Sequence, residues 1–222
     1  MGWLFIFESI SNFYTRTHRT SATMQNLSFL DLPGEIRNQI YIDVLILPPI
    51  FARRQLGGDP PIYPQILRVC KQVHEEAKQI LYGGNVFIAH PNLLNGWPRL
   101  RWKYDTISSQ NVIVYIKRYY LIVRLDCDPN FTAENAEKAF SGIEELTIRV
   151  EQAEFRGSDY QVLKLFEGVR GVKKTKVYGS VTGFPRYCEW LQDVMRTPKE
   201  VGVTDFEKSE ELGAMKLWDV SG

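Results

Sequence analysis

The apolar positions of the chain change period twice, and the changes divide it into segments. Ile36, Ile40, Val44 and Leu47 recur at three- and four-residue steps, with Tyr41 and Leu45 widening the stripe, which predicts a helix that starts at Pro33 and stops at Pro48-Pro49. Proline suits the first helical position because its missing N–H has no partner there in any case, and Glu35 lies in the first turn, where the helix dipole favours negative charge. Between Pro48 and Pro64 the prolines and the Gly57-Gly58-Asp59 turn forbid a helix. The helical period returns with Ile66, Val69, Cys70, Val73, Ala77, Ile80 and Leu81, ends at Gly83-Gly84, and is followed by a short strand over residues 85–90.

Beyond Tyr120 the period shortens. Tyr120-x-x-Val123-x-Leu125-x-Cys127, Ile143-x-x-Leu146-x-Ile148-x-Val150 and Val172-x-x-Thr175-x-Val177-x-Gly179 share one template, whose alternation marks half-buried strands with Arg124, Asp126, Arg149, Lys174, Lys176 and Tyr178 on the other face. Helices are expected between and after them. One is capped by Thr132 and runs through Ala136 and Phe140, one is capped by Ser158 or Asp159 and runs through Leu163 and Phe166, and one is lined by Phe184, Tyr187, Cys188, Leu191, Val194 and Met195. The first template positions are 23 and 29 residues apart, a spacing that suits parallel strands with right-handed crossovers and approaches that of leucine-rich repeats. The fold expected is mixed α/β: an N-terminal helical module packed on a short leucine-rich-repeat-like layer of parallel strands and helices.

The helical half carries a resemblance. Leu32-Pro33-x-Glu35-Ile36-Arg37-Asn38-x-Ile40-Tyr41, then Leu67-Arg68-x-Cys70-x-Gln72-Val73 with Glu75-Glu76-Ala77, and finally Leu81-Tyr82-Gly83-x-Asn85-x-Phe87, is similar to the fungal F-box-like proteins. The likeness covers residues 29–87, with the Pro48 to Pro64 segment separating its two helical runs. It implies an F-box-like module that docks on the Skp-type adaptor of a cullin ubiquitin ligase, while the α/β layer selects an unknown client protein. The partner-binding residues are then Leu32, Pro33, Ile36, Ile40 and Tyr41, some of which must face outward because only one stripe of a helix can face the core. A second reading has these helices only capping the sheet of a free-standing interaction protein.

Composition narrows the partner classes. Lys and Arg number 27 against 26 Asp and Glu, so no global field draws in nucleic acid or an anionic membrane. A local mixture of Trp97, Trp102 and Tyr104 with Arg99, Arg101, Lys103, Lys117 and Arg118 is the one place where a single-strand binder is conceivable, and the favoured reading there is a loop with its aromatics packed down. No stretch reaches the roughly 18 apolar residues of a membrane span, and the apolar start at Met1 to Phe7 lacks a basic flank and cleavage site, so no signal peptide is expected. Together with Cys70, Cys127 and Cys188, read as reduced core thiols, this points to an intracellular protein of the cytoplasm or nucleus.

No reaction is expected. His18, His74 and His90 share no metal-ligand spacing, the paired glycines lack a phosphate-loop context, and no carboxylate is placed to join Asp126 and Asp128 around a cation. Catalytic, cofactor and metal sites are accordingly expected to be none. Organisation follows as a leader at 1–26, the helical module at 27–90, a connecting segment at 91–119, the α/β layer at 120–198 and a tail at 199–222. A protein started at Met24 is expected to match the full chain in far-ultraviolet circular dichroism and urea midpoint; failure to obtain it folded would make the leader part of the fold.

Overall fold

The computed structural model describes residues 28–50, 60–153 and 159–206, so the leader, the centre of the proline-rich segment, Ser158 and the end of the tail lie outside the described residues. The chain divides into two units, Met1–Arg37 and Asn38–Gly222.

In the first unit a 3-10 turn, Phe29–Asp31, is closed by a capping box: Ser28 Oγ accepts from the Leu30 amide, and the Ser28 amide donates to Asp31 Oδ2 at 2.7 Å. Helix α1 (Gly34–Leu45) follows, one residue later than the proline rule predicts. Arg37 reaches back from its first turn and donates to the Leu32 carbonyl at 2.6 Å, which satisfies an acceptor that the helix leaves outside its ladder.

In the second unit the buried positions of α1 are Tyr41 and Leu45, while Val44 is half-buried and Ile42 is exposed. The face that packs is thus the flank of the predicted stripe, not its centre. After a 3-10 segment at Pro64–Arg68 the chain breaks at Val69-Cys70, with Cys70 fully extended, before α2 (Lys71–Gly84). The continuous helical period through Ile66 and Val69 is therefore interrupted, and Val69 is 68% exposed. Val73, Ala77 and Leu81 are the buried line of α2.

One side chain ties the ends of the two helices together. Asn85, 1% exposed, accepts from the Leu47 amide and donates from Nδ2 to the carbonyls of Leu45 and Leu81, all at 2.8 Å. Terminal carbonyls of helices lack intrahelical donors, and a buried one needs a partner from elsewhere. A single carboxamide satisfies two of them, plus the amide that leaves α1. Arg101, 2% exposed, does a similar task one step on, donating to the carbonyls of Val86, Leu100 and Pro48 at 2.7 to 3.0 Å.

A five-stranded sheet follows, in the order β2-β1-β3-β4-β5: β1 (Phe87–His90), β2 (Leu94–Arg99), β3 (Arg118–Arg124), β4 (Glu145–Glu151) and β5 (Lys174–Gly179). β2 is antiparallel to β1, and every other neighbouring pair is parallel. A short helix α3 (Gln110–Ile113), α4 (Ala133–Phe140) and a 3-10 segment (Gln161–Phe166) lie in the crossovers, and α5 (Pro185–Arg196) follows β5. Since the parallel strands stand side by side in chain order, crossovers of one hand fall on one face of the sheet.

Burial agrees with that winding. Tyr119↔Leu146, Leu121↔Ile148↔Val177 and Val123↔Val150 form buried rows on one face. Against them lie Ala136, Phe140, Leu163, Phe166, Leu191 and Val194 from the connecting and final helices, with the Phe140 ring 5.5 Å from Tyr119 and 6.4 Å from Phe166. Thr132 caps α4 as predicted, in a box with Asn135, and Asp159 Oδ1 accepts from the Gln161 amide.

Register corrects the phase of the repeat. Tyr119 pairs with Leu146, so the member matching Ile143 and Val172 is Ile116, and the first segment reads Ile116-x-x-Tyr119-x-Leu121-x-Val123. Ile116, Ile143 and Val172 are all buried, each ahead of its strand. The true spacings are 27 and 29 residues, and Tyr120 moves to the opposite face. Gly179 ends the third segment for a steric reason: its φ is +113°, and a Cβ there would lie 2.2 Å from the Val150 oxygen.

Three further expectations change. Cys188 is buried, but Cys70 is half-buried and Cys127 exposed, because Cys127 falls beyond the end of β3 once the phase is corrected. Residues 91–119, expected as a connecting segment, contain β2 and α3. Trp97 and Trp102 do not pack down; they are 49% and 52% exposed.

At the far edge of the sheet Gln192 of α5 covers β5: its Oε1 accepts from the Val177 amide and its backbone carbonyl from Thr175 Oγ1, both at 3.0 Å. That amide is one a further strand would otherwise take.

Replacing Asn85 by Ala leaves one buried amide and two buried carbonyls without these partners. At about 1 to 3 kcal/mol per unsatisfied group, partly relieved by water, a loss of about 3 kcal/mol is expected in urea denaturation. A change below about 1 kcal/mol would mean that the helix ends are held by something else.

Candidate interaction surfaces

Two surfaces are candidates, one in each unit. In the first unit Leu30 and Ile36 are exposed, at 39% and 45%, Pro33 is exposed and Leu32 is half-buried. The Ser28 capping box and the Arg37 tie satisfy backbone groups around them, so local hydrogen bonding holds this turn while apolar side chains stay in solvent.

Of the five residues predicted to bind a partner, Leu32, Pro33 and Ile36 belong to this unit. Ile40 and Tyr41 belong to the second. Ile40 is half-buried there, and Tyr41 is 0% exposed with its hydroxyl donating to Glu76 Oε2 at 2.9 Å. Tyr41 thus serves the core: a ring of that size with its hydroxyl already matched to a carboxylate has no surface left to offer.

The second surface is the face of the sheet opposite the crossover helices. Its register rows are Arg118, Glu145 and Lys174; Tyr120, Thr147 and Lys176; Ile122, Arg149 and Tyr178; and Arg124 with Glu151. Arg124, Arg149, Lys174 and Lys176 are exposed. Cations therefore exceed carboxylates among the strand side chains of this face, although the whole chain is almost neutral.

Its margins are ion-paired. Arg124 holds Asp126 in a two-pronged contact at 2.8 and 3.1 Å, and that bond to Arg124 keeps the Asp126 carboxyl below its ordinary range. Asp126 also accepts from the Ala153 amide, so this carboxylate is a turn and ion-pair element. Arg118 pairs with Glu144 at 3.3 Å, and Arg149 with Glu151 at 3.1 Å. A cleft of about 520 Å³ opens at the C-terminal ends of β3 to β5, between Arg124, Arg149, Gln152 and Ser180.

At the centre of the face two phenols meet. The Tyr120 and Tyr178 hydroxyls are 3.4 Å apart across β4, and Arg149 hydrogen-bonds Tyr120. Tyr120 is mostly covered, in part by the segment Ile46 to Ile50, which encloses a cavity of about 260 Å³ with Tyr120, Thr147 and Arg101. Burial first, and then the bond to Tyr178, pushes the Tyr120 phenol up to about 12.

The basic and aromatic residues between Trp97 and Arg118 do not make one phosphate-binding stripe. Arg101 is buried on carbonyls, Arg118 is engaged by Glu144 and the Gly84 carbonyl, and Arg99 lies over the Trp102 ring at 5.5 Å, while Lys103 and Lys117 remain exposed. His74 is exposed, with Nδ1 3.0 Å from the Leu67 carbonyl, and Glu75 is paired with Lys78 at 2.6 Å. Among the described residues no group of three His, Cys, Asp or Glu is arranged to hold a metal ion, and no helix is long and apolar enough to cross a membrane.

Sequence reasoning placed Arg149, Lys174, Lys176 and Tyr178 on this face but missed Tyr120, which the misphased template had turned inward. The missing signal was Ile116: beginning the template there makes all three first positions aliphatic.

Comparisons with family models, with curated proteins and with solved structures find no match to this chain.

A phenol that ionises near pH 12 in the fold and near 10 when unfolded stabilises the fold fully below pH 10 and loses that contribution as pH rises from 10 to about 12. The stability difference between wild type and Tyr120→Phe should therefore shift against wild type across that window in urea titrations. A constant difference would place the Tyr120 hydroxyl in water.

Proposed function

We propose that the protein is a non-enzymatic interaction adaptor, in which an F-box-like N-terminal module engages the Skp-type adaptor of a cullin ubiquitin ligase and a leucine-rich-repeat-like layer presents a client. It acts inside the cell, in the cytoplasm or nucleus. The observation that carries this reading is the exposed apolar surface of Leu30, Pro33 and Ile36. Burying such side chains against a partner gains about 25 cal/mol per Å² of apolar area, and leaving them in water forgoes it. The partner face consists of Leu32, Pro33 and Ile36 from the original set, with Tyr41 and much of Ile40 excluded by burial.

The α/β layer supports its half of the proposal through its winding. Parallel strands in chain order, spacings of 27 and 29 residues and the crossover helices on one face leave the other face to the strands, where Arg149, Lys174 and Lys176 are exposed and Tyr120 and Thr147 are covered.

A second reading, in which the helices only cap the sheet of a free-standing interaction protein, is favoured by the full burial of Tyr41 and Leu45 and by the Asn85 tie. A single-strand nucleic-acid binder is weakened by the burial of Arg101.

A pull-down with the Skp-type adaptor separates the first two. Wild type should retain the adaptor, and Leu32→Ala combined with Pro33→Ala should reduce retention at least about tenfold, the loss of roughly 1.4 kcal/mol or more, with the circular dichroism spectrum unchanged. No adaptor recovered with wild type would leave the capping reading.

A further inference from the structure

We infer that residues 199–206 form a displaceable strap whose Phe206 ring fills an aromatic pocket of Tyr160, Tyr187 and Trp190, and that this pocket is a docking site for an extended peptide segment anchored by a phenylalanine. In the chain as it stands the segment is its own, so the contact is autoinhibitory. The inference uses no part of the ligase reading.

The walls of the pocket are held by the helical layer. Tyr160 precedes the 3-10 segment Gln161–Phe166, and Tyr187 and Trp190 lie one turn apart on α5. The two phenol rings stack with centroids 3.9 Å apart, Phe184 meets Tyr160 edge-on at 5.8 Å, and the Tyr187 hydroxyl donates to Glu167 Oε1 at 2.8 Å. These contacts involve no residue of the strap, so the tyrosine walls have supports of their own. Phe206 meets all three rings, at 5.2 Å from Tyr187, 5.6 Å from Trp190 and 6.0 Å from Tyr160, and it stands nearly perpendicular to both tyrosines.

The strap, by contrast, is lightly held. Residues 198–206 belong to no helix or strand, and among the described residues one backbone–backbone hydrogen bond lies within them, from the Val201 amide to the Pro198 carbonyl. Side chains supply the rest. The Trp190 indole N–H donates to the Thr204 carbonyl at 3.2 Å, two residues before the ring, and Lys199 pairs with Glu137 of α4 at 2.9 Å with both side chains in contact with solvent. A solvated ion pair adds little. Val203 and Phe206 are only half-buried, and Thr204 and Asp205 are exposed. Each ordered residue costs backbone entropy, against which the strap sets one ring, one indole bond and one solvated pair.

An aromatic anchor together with a main-chain carbonyl read by a side-chain donor is a mode in which an extended segment docks into a preformed pocket. A segment of another protein that offers the same pair takes the same place. Tethering gives the strap a local concentration in roughly the millimolar range, so a free segment of equal intrinsic affinity gains the pocket only once Phe206 is removed.

The test is fluorescence anisotropy of the full chain with a labelled peptide of residues 198–208, and with the same peptide carrying Phe206→Ala as control. Wild type should bind the peptide weakly, and the full chain with Phe206→Ala at least about tenfold more tightly, because its own anchor no longer competes. The control peptide should bind neither chain. Should Phe206→Ala fail to fold, Phe206→Leu carries the same expectation at smaller size. Adding Trp190→Phe to the Phe206→Ala chain should weaken peptide binding by about threefold, the scale of one neutral hydrogen bond. Absence of saturable binding by the folded Phe206 variants, affinity equal to that of wild type, or equal binding of the control peptide overturns the inference. Sedimentation that shows wild-type dimers which the Phe206→Ala chain does not form overturns it as well, since the strap would then occupy the pocket of a second copy.

Discussion

The carboxamide of Asn85 is the constraint on which the architecture of the second unit turns. A helix followed at once by a strand must change direction within two residues, and α2 ends at Gly84 while β1 begins at Phe87. The carbonyls exposed by that change are buried, as are those at the end of α1. Water cannot reach them, so a side chain with both donors and an acceptor must stand among them. Asparagine offers two donors and an acceptor on a short stem, and it uses them on Leu45, Leu47 and Leu81 together. Aspartate would lack the donors and leucine would lack both. Because β1 pairs with both β2 and β3, fixing its start also fixes where the sheet begins.

From that start the sheet grows in one direction. Each crossover lands its strand beside the last, and the covered rows are filled from one side by Phe140, Phe166 and Leu191. The edges are finished differently. β2 closes one as an antiparallel strand, and α5 covers part of the other through Gln192, whose amide group also donates to the Cys188 carbonyl of its own helix. A glutamine held in this way presents its oxygen to the Val177 amide with less loss of side-chain freedom than a free one would suffer. The face opposite the crossover helices is therefore a consequence of winding, exposed at Arg124, Arg149, Lys174 and Lys176 and covered at Tyr120 and Thr147.

Several residues that look available for binding in the sequence are instead engaged by backbone or by neighbouring charge. Arg101 differs from Arg99 and Lys103 by nothing visible in a local window, yet it is buried on carbonyls contributed from as far away as Pro48. Arg118 reaches Gly84 and Glu144, both distant in sequence. A guanidinium can satisfy several carbonyls in one plane, which makes it suited to such junctions. Conversely, Ile36 belongs to the apolar stripe by period and is nevertheless exposed.

The amino-acid order by itself determined the element types wherever a local cause sufficed: the capped start of α4 at Thr132, the proline that opens α5, the buried line Tyr187, Cys188, Leu191, Val194 and Met195, and the alternation of β4. These depend on contacts three or four residues away or on side-chain period. Tertiary structure alone decided the phase of the first repeat, because Ile116 and Tyr120 are both apolar at acceptable spacing and only pairing with β4 distinguishes them. It also decided the strand identity of Leu94–Arg99, which needs β1 beside it, and the break at Val69-Cys70 within an otherwise helical period. The face with Tyr120, Arg149 and Tyr178 exists only once three strands stand in register, since its members lie on separate strands and meet through pairing alone.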